Sequence, residues 1–306
     1  MSDTIYSFFN GEIVPLADAK ISILTHAFNY GTACFEGIRG YWNAEDEQVY
    51  LFRLREHFER LQGSTKILGI KLPYSVDELC TITRDLVRKN GFREDIYLRP
   101  TVYISAEVIG VKLHELPVSF CMYSLPFGSY IDTEKGLSVG VSSWKRIDDN
   151  MIPARAKVAG AYVNSAFAKS EALLNGFDEA IMLTSEGHVS EGSAENVFML
   201  AGGKLYTPPV NENVLVGITR NTIMRISKEV FGMEVVERVI DRTELYTCDE
   251  LFLCGTGAQM APVSSVDHRP LGDGGVGPFS KKLQQYYFDV VRGKVAKFKE
   301  WCTPVY

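Results

Sequence analysis

Apolar positions recur along the chain at two spacings, and the switches between them lay out the elements. Tyr6-Ser7-Phe8-Phe9-Asn10-Gly11-Glu12-Ile13-Val14 reads as two short strands about an Asn-Gly turn, the dipeptide best suited to a tight hairpin. Helical spacing takes over at 55–69, where Phe58, Leu61 and Leu68 share a face, and at 76–90 through Val76, Leu79, Ile82 and Leu86. Strands are predicted at 96–104, 118–125 and 137–144, and a helix near 162–174 closes on Asn175-Gly176. Strands at 179–184 and 196–201 bracket Ser190-Glu191-Gly192-Ser193-Ala194-Glu195-Asn196, and Gly202-Gly203 turns the chain again. A helix over 217–230 opens with Gly217-Ile218-Thr219, and a strand at 250–254 runs into Gly255-Thr256-Gly257. A last helix is predicted over 279–300, with Leu283, Tyr287, Val290 and Val291 on one side. Strands and helices come in mixed order, which favours an α+β architecture over a doubly wound sheet. Turn formers gather in Pro126-Phe127-Gly128-Ser129-Tyr130-Ile131-Asp132, so the chain divides into a domain over 1–126, a linker at 127–133 and a second domain over 134–306.

Composition narrows the class. With 306 residues, 46% of them hydrophobic and 23% charged, the chain can bury a sizeable core. A net charge of −6 without a lysine/arginine cluster argues against a phosphate-tracking nucleic-acid surface. No apolar run reaches membrane-spanning length, and Met1-Ser2-Asp3-Thr4-Ile5 lacks the features of a signal peptide. The six cysteines form no C-x-x-C pair and have no histidine at ligand spacing, so no metal site or disulfide framework is expected. A cytoplasmic protein with reduced thiols is the expectation.

Candidate chemistry centres on Lys157, a long cation among the small and apolar neighbours of Ala154-Arg155-Ala156-Lys157-Val158-Ala159-Gly160-Ala161. Such an amine is well placed to be desolvated, to lose its proton and to attack a carbonyl. Gly272-Asp273-Gly274-Gly275-Val276-Gly277 fits G-x-G-x-x-G literally, but no strand leads directly into it and Pro278 follows, so it reads as a loop. Two other places suit a phosphate better. Gly217-Ile218-Thr219-Arg220 opens a helix with a hydroxyl beside its N–H groups, and Gly255-Thr256-Gly257-Ala258 follows a buried strand. Joined to Lys157 and Glu191, these parts answer the needs of one cofactor. Pyridoxal 5'-phosphate requires a lysine imine, an acid at the ring nitrogen and a cup of donors for its phosphate.

The order of Ala156-Lys157, Tyr162, Ser190-Glu191-Gly192 with Glu195-Asn196, Gly217-Ile218-Thr219-Arg220 and Gly255-Thr256 resembles the class IV pyridoxal-phosphate aminotransferases, and more narrowly the branched-chain amino acid aminotransferases. Asn10-Gly11-Glu12, His26-Ala27, Tyr30-Gly31, Phe35-Glu36-Gly37-Ile38-Arg39, Arg55-Glu56-His57, Arg60-Leu61 and Tyr97-Leu98-Arg99-Pro100 extend the resemblance over nearly the whole chain. It implies the two-domain fold of that class (PLP fold type IV), a small α/β domain plus a larger β-barrel-like domain, assembled as a homodimer or a higher oligomer of dimers. It also implies amino transfer between L-leucine, L-isoleucine or L-valine and 2-oxoglutarate. Lys157 would be the Schiff-base lysine and acid/base, Glu191 would pair with the ring nitrogen and Tyr162 with the phenolic oxygen. Arg60, Ile218, Thr219 and Thr256 would hold the phosphate. Tyr30, Phe35, Tyr97, Phe127 and Tyr130 would line the side-chain pocket. Arg99, two residues after Tyr97 and so on the same strand face, would answer the distal carboxylate of glutamate. Thr256-Gly257 would meet the substrate α-carboxylate.

Departures from the family pattern frame the alternatives. Thr101 stands where D-amino acid members carry a histidine, and Phe127 where a tryptophan is common, which implies a roomier pocket. Ser105-Ala106-Glu107-Val108-Ile109-Gly110-Val111 departs from the usual pattern and is expected in a loop reaching the partner subunit. The rival readings are a class IV transaminase acting on D-amino acids or (R)-amines, and a catalytically silent homologue kept as a binding protein. A lyase of the same class fits the Phe35, Tyr97 and Arg99 pattern less well.

Overall fold

The computed structural model describes residues 4–128 and 135–306; Tyr130, one of the expected pocket residues, lies outside them. The chain forms two compact units, one built from Met1–Gly128, Ala156–Gly160 and Asp289–Tyr306, the other from Ser129–Arg155 and Ala161–Phe288.

In the first unit an eight-stranded sheet runs in the order Cys302–Pro304, Gln48–Phe52, Ile38–Asn43, Ile96–Ile104, Val118–Pro126, Tyr6–Phe9, Glu12–Pro15, with Ala33–Phe35 also paired to Ile96–Ile104. The first hairpin turns on Asn10 and Gly11, both at positive φ, as its Asn-Gly dipeptide dictates. Along Ile96–Ile104 the alternation buries Ile96, Leu98, Val102 and Ile104, while Tyr97, Arg99 and Thr101 are only half-buried on the opposite face. The helices Leu54–Ile67 and Val76–Asn90 pack Phe58, Leu61, Leu79 and Leu86 into the core formed with Ile38, Val49, Ile96 and Leu98. Ser75 and Glu78 close a capping box at the start of the second, and Gly91 ends it in the left-handed conformation.

The second unit carries a nine-stranded sheet in the order Val189–Gly192, Glu179–Leu183, Leu137–Val141, Gln259–Val266, Glu250–Gly255, Asn196–Ala201, Lys204–Thr207, Val235–Glu237, with Arg269–Pro270 paired to Gln259–Val266. Leu137–Val141 is parallel to both of its neighbours, and Lys204–Thr207 is parallel to Val235–Glu237. Val139, Ile181, Val189, Val197, Leu253 and Ala261 fill its core. Together the units make an α+β fold. No helix among the described residues is long and apolar enough to cross a membrane.

Several elements differ from the sequence expectation. Ile38–Asn43 and Gln48–Phe52 are buried almost throughout, so neither carries the alternation that marks a half-exposed strand. The helix expected over 279–300 ends at Val291, because Gly293 takes φ +71° and a Cβ there would meet Lys299 Nζ and the Tyr50 ring at 2.9 Å. A 3-10 stretch over Ala296–Trp301 then leads into Cys302–Pro304, which pairs with Gln48–Phe52. Glu191, expected between two strands, lies on a strand of its own, Val189–Gly192.

Candidate active site

The first unit fixes Lys157 through its backbone. Gly31 and Gly160 approach so closely that a Cβ on Gly31 would lie 2.7 Å from Gly160 Cα, and Gly160 N–H donates to Gly31 O at 3.1 Å. Cys34 bridges Val158, Phe35 N–H donates to Lys157 O at 3.1 Å, and Lys157 N–H donates to Ser64 Oγ at 3.1 Å. The half-buried side chain carries its Nζ 5.0 Å from the centre of the Phe35 ring. Over that same ring, at 4.4 Å, stands the guanidinium of Arg99. Arg99 Nε and one terminal nitrogen donate to the Tyr97 hydroxyl at 3.1 and 2.8 Å. Tyr97 in turn packs on Phe127, with ring centres 5.3 Å apart. Phe35, Tyr97, Arg99, Phe127 and Lys157 are thus one contiguous set.

Arg60 is held by a carboxylate that the sequence reading assigned no role. Its Nε and one terminal nitrogen donate to the two oxygens of Glu36 at 2.8 and 2.7 Å, and His57 Nδ1 shares Glu36 Oε2 at 2.7 Å. Burial pushes the Glu36 carboxyl up, but the Arg60 charge and the hydrogen bonds from Arg60 and His57 outweigh it and hold the group at about 2. Burial lowers His57. Buried Arg39 supports Phe127 from behind, donating to Phe127 O and Gly128 O at 2.9 and 3.0 Å with its guanidinium 4.6 Å above the ring. Tyr30 lies with the 105–117 segment: its ring is tilted against His26, and its hydroxyl accepts from Gly110 N–H at 3.3 Å.

In the second unit the acid and the anion-seeking elements converge. Glu191 is buried on its strand, and Oε2 accepts from Leu215 N–H at 2.9 Å and from Asn196 Nδ2 at 3.3 Å. Arg146 Nε stands 2.9 Å from Oε1 as an ion pair, off the angle of a hydrogen bond. Asn196 continues the connection: its Nδ2 donates to Leu215 O, and a Cβ on Gly217 would collide with its Oδ1 at 2.0 Å. Gly217 opens the helix Ile218–Glu229 without a capping side chain, and Ile218 and Thr219 are buried in the first turn. The N–H groups of a buried helix start without a capping side chain suit an anion such as a phosphate, and the Thr219 hydroxyl suits it too. Asn196 pairs with Cys254, and a Cβ on Gly255, just before the turn at Thr256-Gly257, would lie 3.3 Å from Ala194 O, whereas one on Gly257 would meet nothing within 4 Å. Tyr162 begins the helix Tyr162–Leu174, half-buried. Nearby, burial and then the Glu179 charge raise the Glu195 carboxyl; Glu179 itself pairs with Lys169 at 2.7 Å.

The Gly-rich loop at 272–277 precedes a helix whose start is already occupied. Phe279 N–H, Ser280 N–H and the Ser280 hydroxyl all donate to Glu250, at 2.9, 2.7 and 2.7 Å, and a Cβ on Gly277 would strike that carboxyl group at 2.2 Å. A negative side chain on these N–H groups leaves no place for a phosphate.

Arg146 and Ser64 do not figure in the sequence analysis, and Glu36, Arg39 and His57 figure there only as parts of motifs, with no role assigned. Glu36 also stands out as a single acid in the apolar run Ala33-Cys34-Phe35-Glu36-Gly37-Ile38. The lysine held in the first unit, and the acid and the helix start in the second, are the kinds of parts that a transaminase of the class IV type calls on. The class IV amino-transferase family model matches residues 33–266, and the chain belongs to this family. Narrower likenesses agree. A probable branched-chain-amino-acid aminotransferase of Aquifex aeolicus is 52% identical over 301 residues, 98% of this chain and 97% of that protein. The branched-chain aminotransferase of Thermoproteus uzoniensis, solved with norvaline, matches with a TM-score of 0.95 and 42% identity over 99% of this chain and 100% of that one. That of Thermobaculum terrenum, solved in its PLP form, matches with a TM-score of 0.94 and 38% identity over 100% of both chains.

Proposed function

We propose that this protein is a pyridoxal-phosphate-dependent aminotransferase that exchanges the amino group between L-leucine, L-isoleucine or L-valine and 2-oxoglutarate. The observation that carries the reading is the mounting of Lys157, fixed by Phe35 N–H and Ser64 Oγ, with Nζ above the Phe35 ring that Arg99 shares. When bound, the cofactor supplies an aldehyde that receives the amino group and a ring that takes up the electrons of the Cα–H bond. Lys157 Nζ removes the substrate Cα proton and returns it, a role worth on the order of 10²–10⁴-fold in rate. Glu191, steadied by Arg146, Asn196 and Leu215 N–H, would hold the ring nitrogen and keep its proton in place. Tyr162 would hold the phenolic oxygen. Arg60, the N–H groups of Ile218 and Thr219, and Thr256 would hold the phosphate.

Substrate choice follows from the first-unit set. Phe35, Tyr97 and Phe127 would line the apolar pocket, Tyr30 and Tyr130 being the remaining lining that the resemblance implies, and Thr256-Gly257 would take the α-carboxylate. With an apolar donor, Arg99 stays on the Tyr97 hydroxyl; with 2-oxoglutarate it turns to the distal carboxylate. The protein works in the cytoplasm as a homodimer. Lys157→Ala should lose leucine:2-oxoglutarate turnover by at least about 10⁴-fold while still binding pyridoxal phosphate through the phosphate contacts. Appreciable steady-state turnover by that variant would disprove the assignment.

A further inference from the structure

We propose that Glu36, seconded by His57, is the positioning residue that aims Arg60 at the cofactor phosphate and ties that aim to the placement of Lys157. The inference rests on the phosphate role given to Arg60 above. Its basis is a single helix face and the end of the strand Ala33–Phe35. His57, Arg60 and Ser64 follow one another at spacings of three and four on Leu54–Ile67, so they share one side of the helix. His57 and Arg60 reach the Glu36 carboxylate, and Ser64 reaches the backbone of Lys157. From the strand side, Phe35 N–H holds Lys157 O, and Glu36 N–H donates to Pro100 O at 2.9 Å. Glu36 and Phe35 are adjacent, so the phosphate arm and the reactive lysine hang from neighbouring residues.

The chemistry of the pair sets its purpose. Glu36 has no solvent exposure at all, and an acid so buried is costly unless it is paired and hydrogen-bonded. Both oxygens are used, in a bidentate grip on one edge of the Arg60 guanidinium. That grip fixes the plane and direction of a side chain that otherwise has several rotatable bonds. His57 fills a remaining acceptor position on Oε2, so the carboxylate cannot swing away with the arginine. A core ion pair with no functional task could be replaced by apolar residues at little cost, whereas an aiming device could not.

The experiment compares two ligands on the full-length protein resolved of cofactor: pyridoxal 5'-phosphate and pyridoxal, which lacks the phosphate. Dissociation constants come from absorbance titration, and thermal midpoints are followed alongside. Glu36→Gln keeps the volume but offers one acceptor oxygen in place of two. It should weaken pyridoxal phosphate about 10–100-fold, the scale seen when partners of metal-binding side chains are removed, and leave pyridoxal within about twofold. Equal weakening of both ligands would overturn the proposal and leave Glu36 a structural residue. If Glu36→Gln does not fold, Arg60→Met and Arg60→Met/Glu36→Leu replace it. The proposal expects the same phosphate-to-pyridoxal ratio in both, because Glu36 acts only through Arg60; a further drop in the double variant would overturn it. Arg60→Met with an unchanged ratio would remove the phosphate role of Arg60 itself, and the proposal with it. Arg60→Met with a collapsed ratio beside Glu36→Gln with a normal one would sink the positioning role alone.

Discussion

At the residue scale, the lysine and the acid were legible and their supports were not. Lys157 betrays itself by local contrast, a lysine in a run that apart from Arg155 is small and apolar, and Glu191 by a compact motif. Arg146 stands 45 positions before Glu191, and Glu36 stands 24 before Arg60, so no local pattern joins either pair. Only folding brings them together: Arg60 comes from the helix Leu54–Ile67, and Arg146 from the segment after Leu137–Val141. Arg99 was readable because a strand places residues two apart on one face, and the fold adds what it rests on: the Tyr97 hydroxyl and the Phe35 ring. An arginine parked on a neutral hydroxyl is easily recruited by a carboxylate, which makes a stronger, charge-assisted partner. Arg99→Gln should therefore slow the half-reaction with 2-oxoglutarate by about 10–100-fold and the half-reaction with leucine by less than about threefold. Single-turnover kinetics of each half-reaction measure this directly, and equal losses would remove Arg99 from the choice between substrates.

At the element scale, amphipathic segments declared themselves, whereas some of the buried ones did not. Val76–Asn90 begins at its Ser75 cap and stops at Gly91, as its own sequence requires. Gln48–Phe52 has no exposed position, so periodicity has nothing to report. Gln259–Val266, in the middle of the second sheet, was missed for the same reason. The helix Pro278–Val291 shows a different kind of hidden information: its cap comes from Glu250, 28 residues upstream of its first residue. Removing that carboxylate leaves two backbone donors and a hydroxyl without an acceptor in a buried place. Glu250→Ala should lower unfolding free energy by about 2 kcal/mol, read as a drop in the urea midpoint at unchanged slope. A midpoint equal to that of the parent protein would show that water satisfies the helix start as well as Glu250 does.

At the scale of the whole molecule, the apolar residues left outside both cores are informative. In the first unit Ile23, Phe28, Ile109 and Val111 are exposed at 78, 66, 95 and 77%. Their segments are joined, since His26 N–H donates to Ala106 O and His26 Nε2 bonds Gly110 O. Exposed apolar residues on linked segments are where the homodimer proposed above would bury its surface. Sedimentation equilibrium should give twice the 34.2 kDa chain mass, and Ile23→Asp/Ile109→Asp should shift the equilibrium toward single chains. A parent protein that runs as a single chain at micromolar concentration would dismiss the dimer. Domain organisation was the least legible level, because a linear reading sees the linker but not the chain's return to an earlier unit. Ala156–Gly160 belongs to the unit of Met1–Gly128, whereas Ala161 onward belongs to the other. For recombination between related enzymes this has a practical meaning. A single crossover near residue 128 does not exchange a structural unit; a true exchange needs joins after Gly128, Arg155, Gly160 and Phe288. Chimaeras made with one join will inherit a reactive lysine from one parent and its backbone supports, Phe35 and Ser64, from the other.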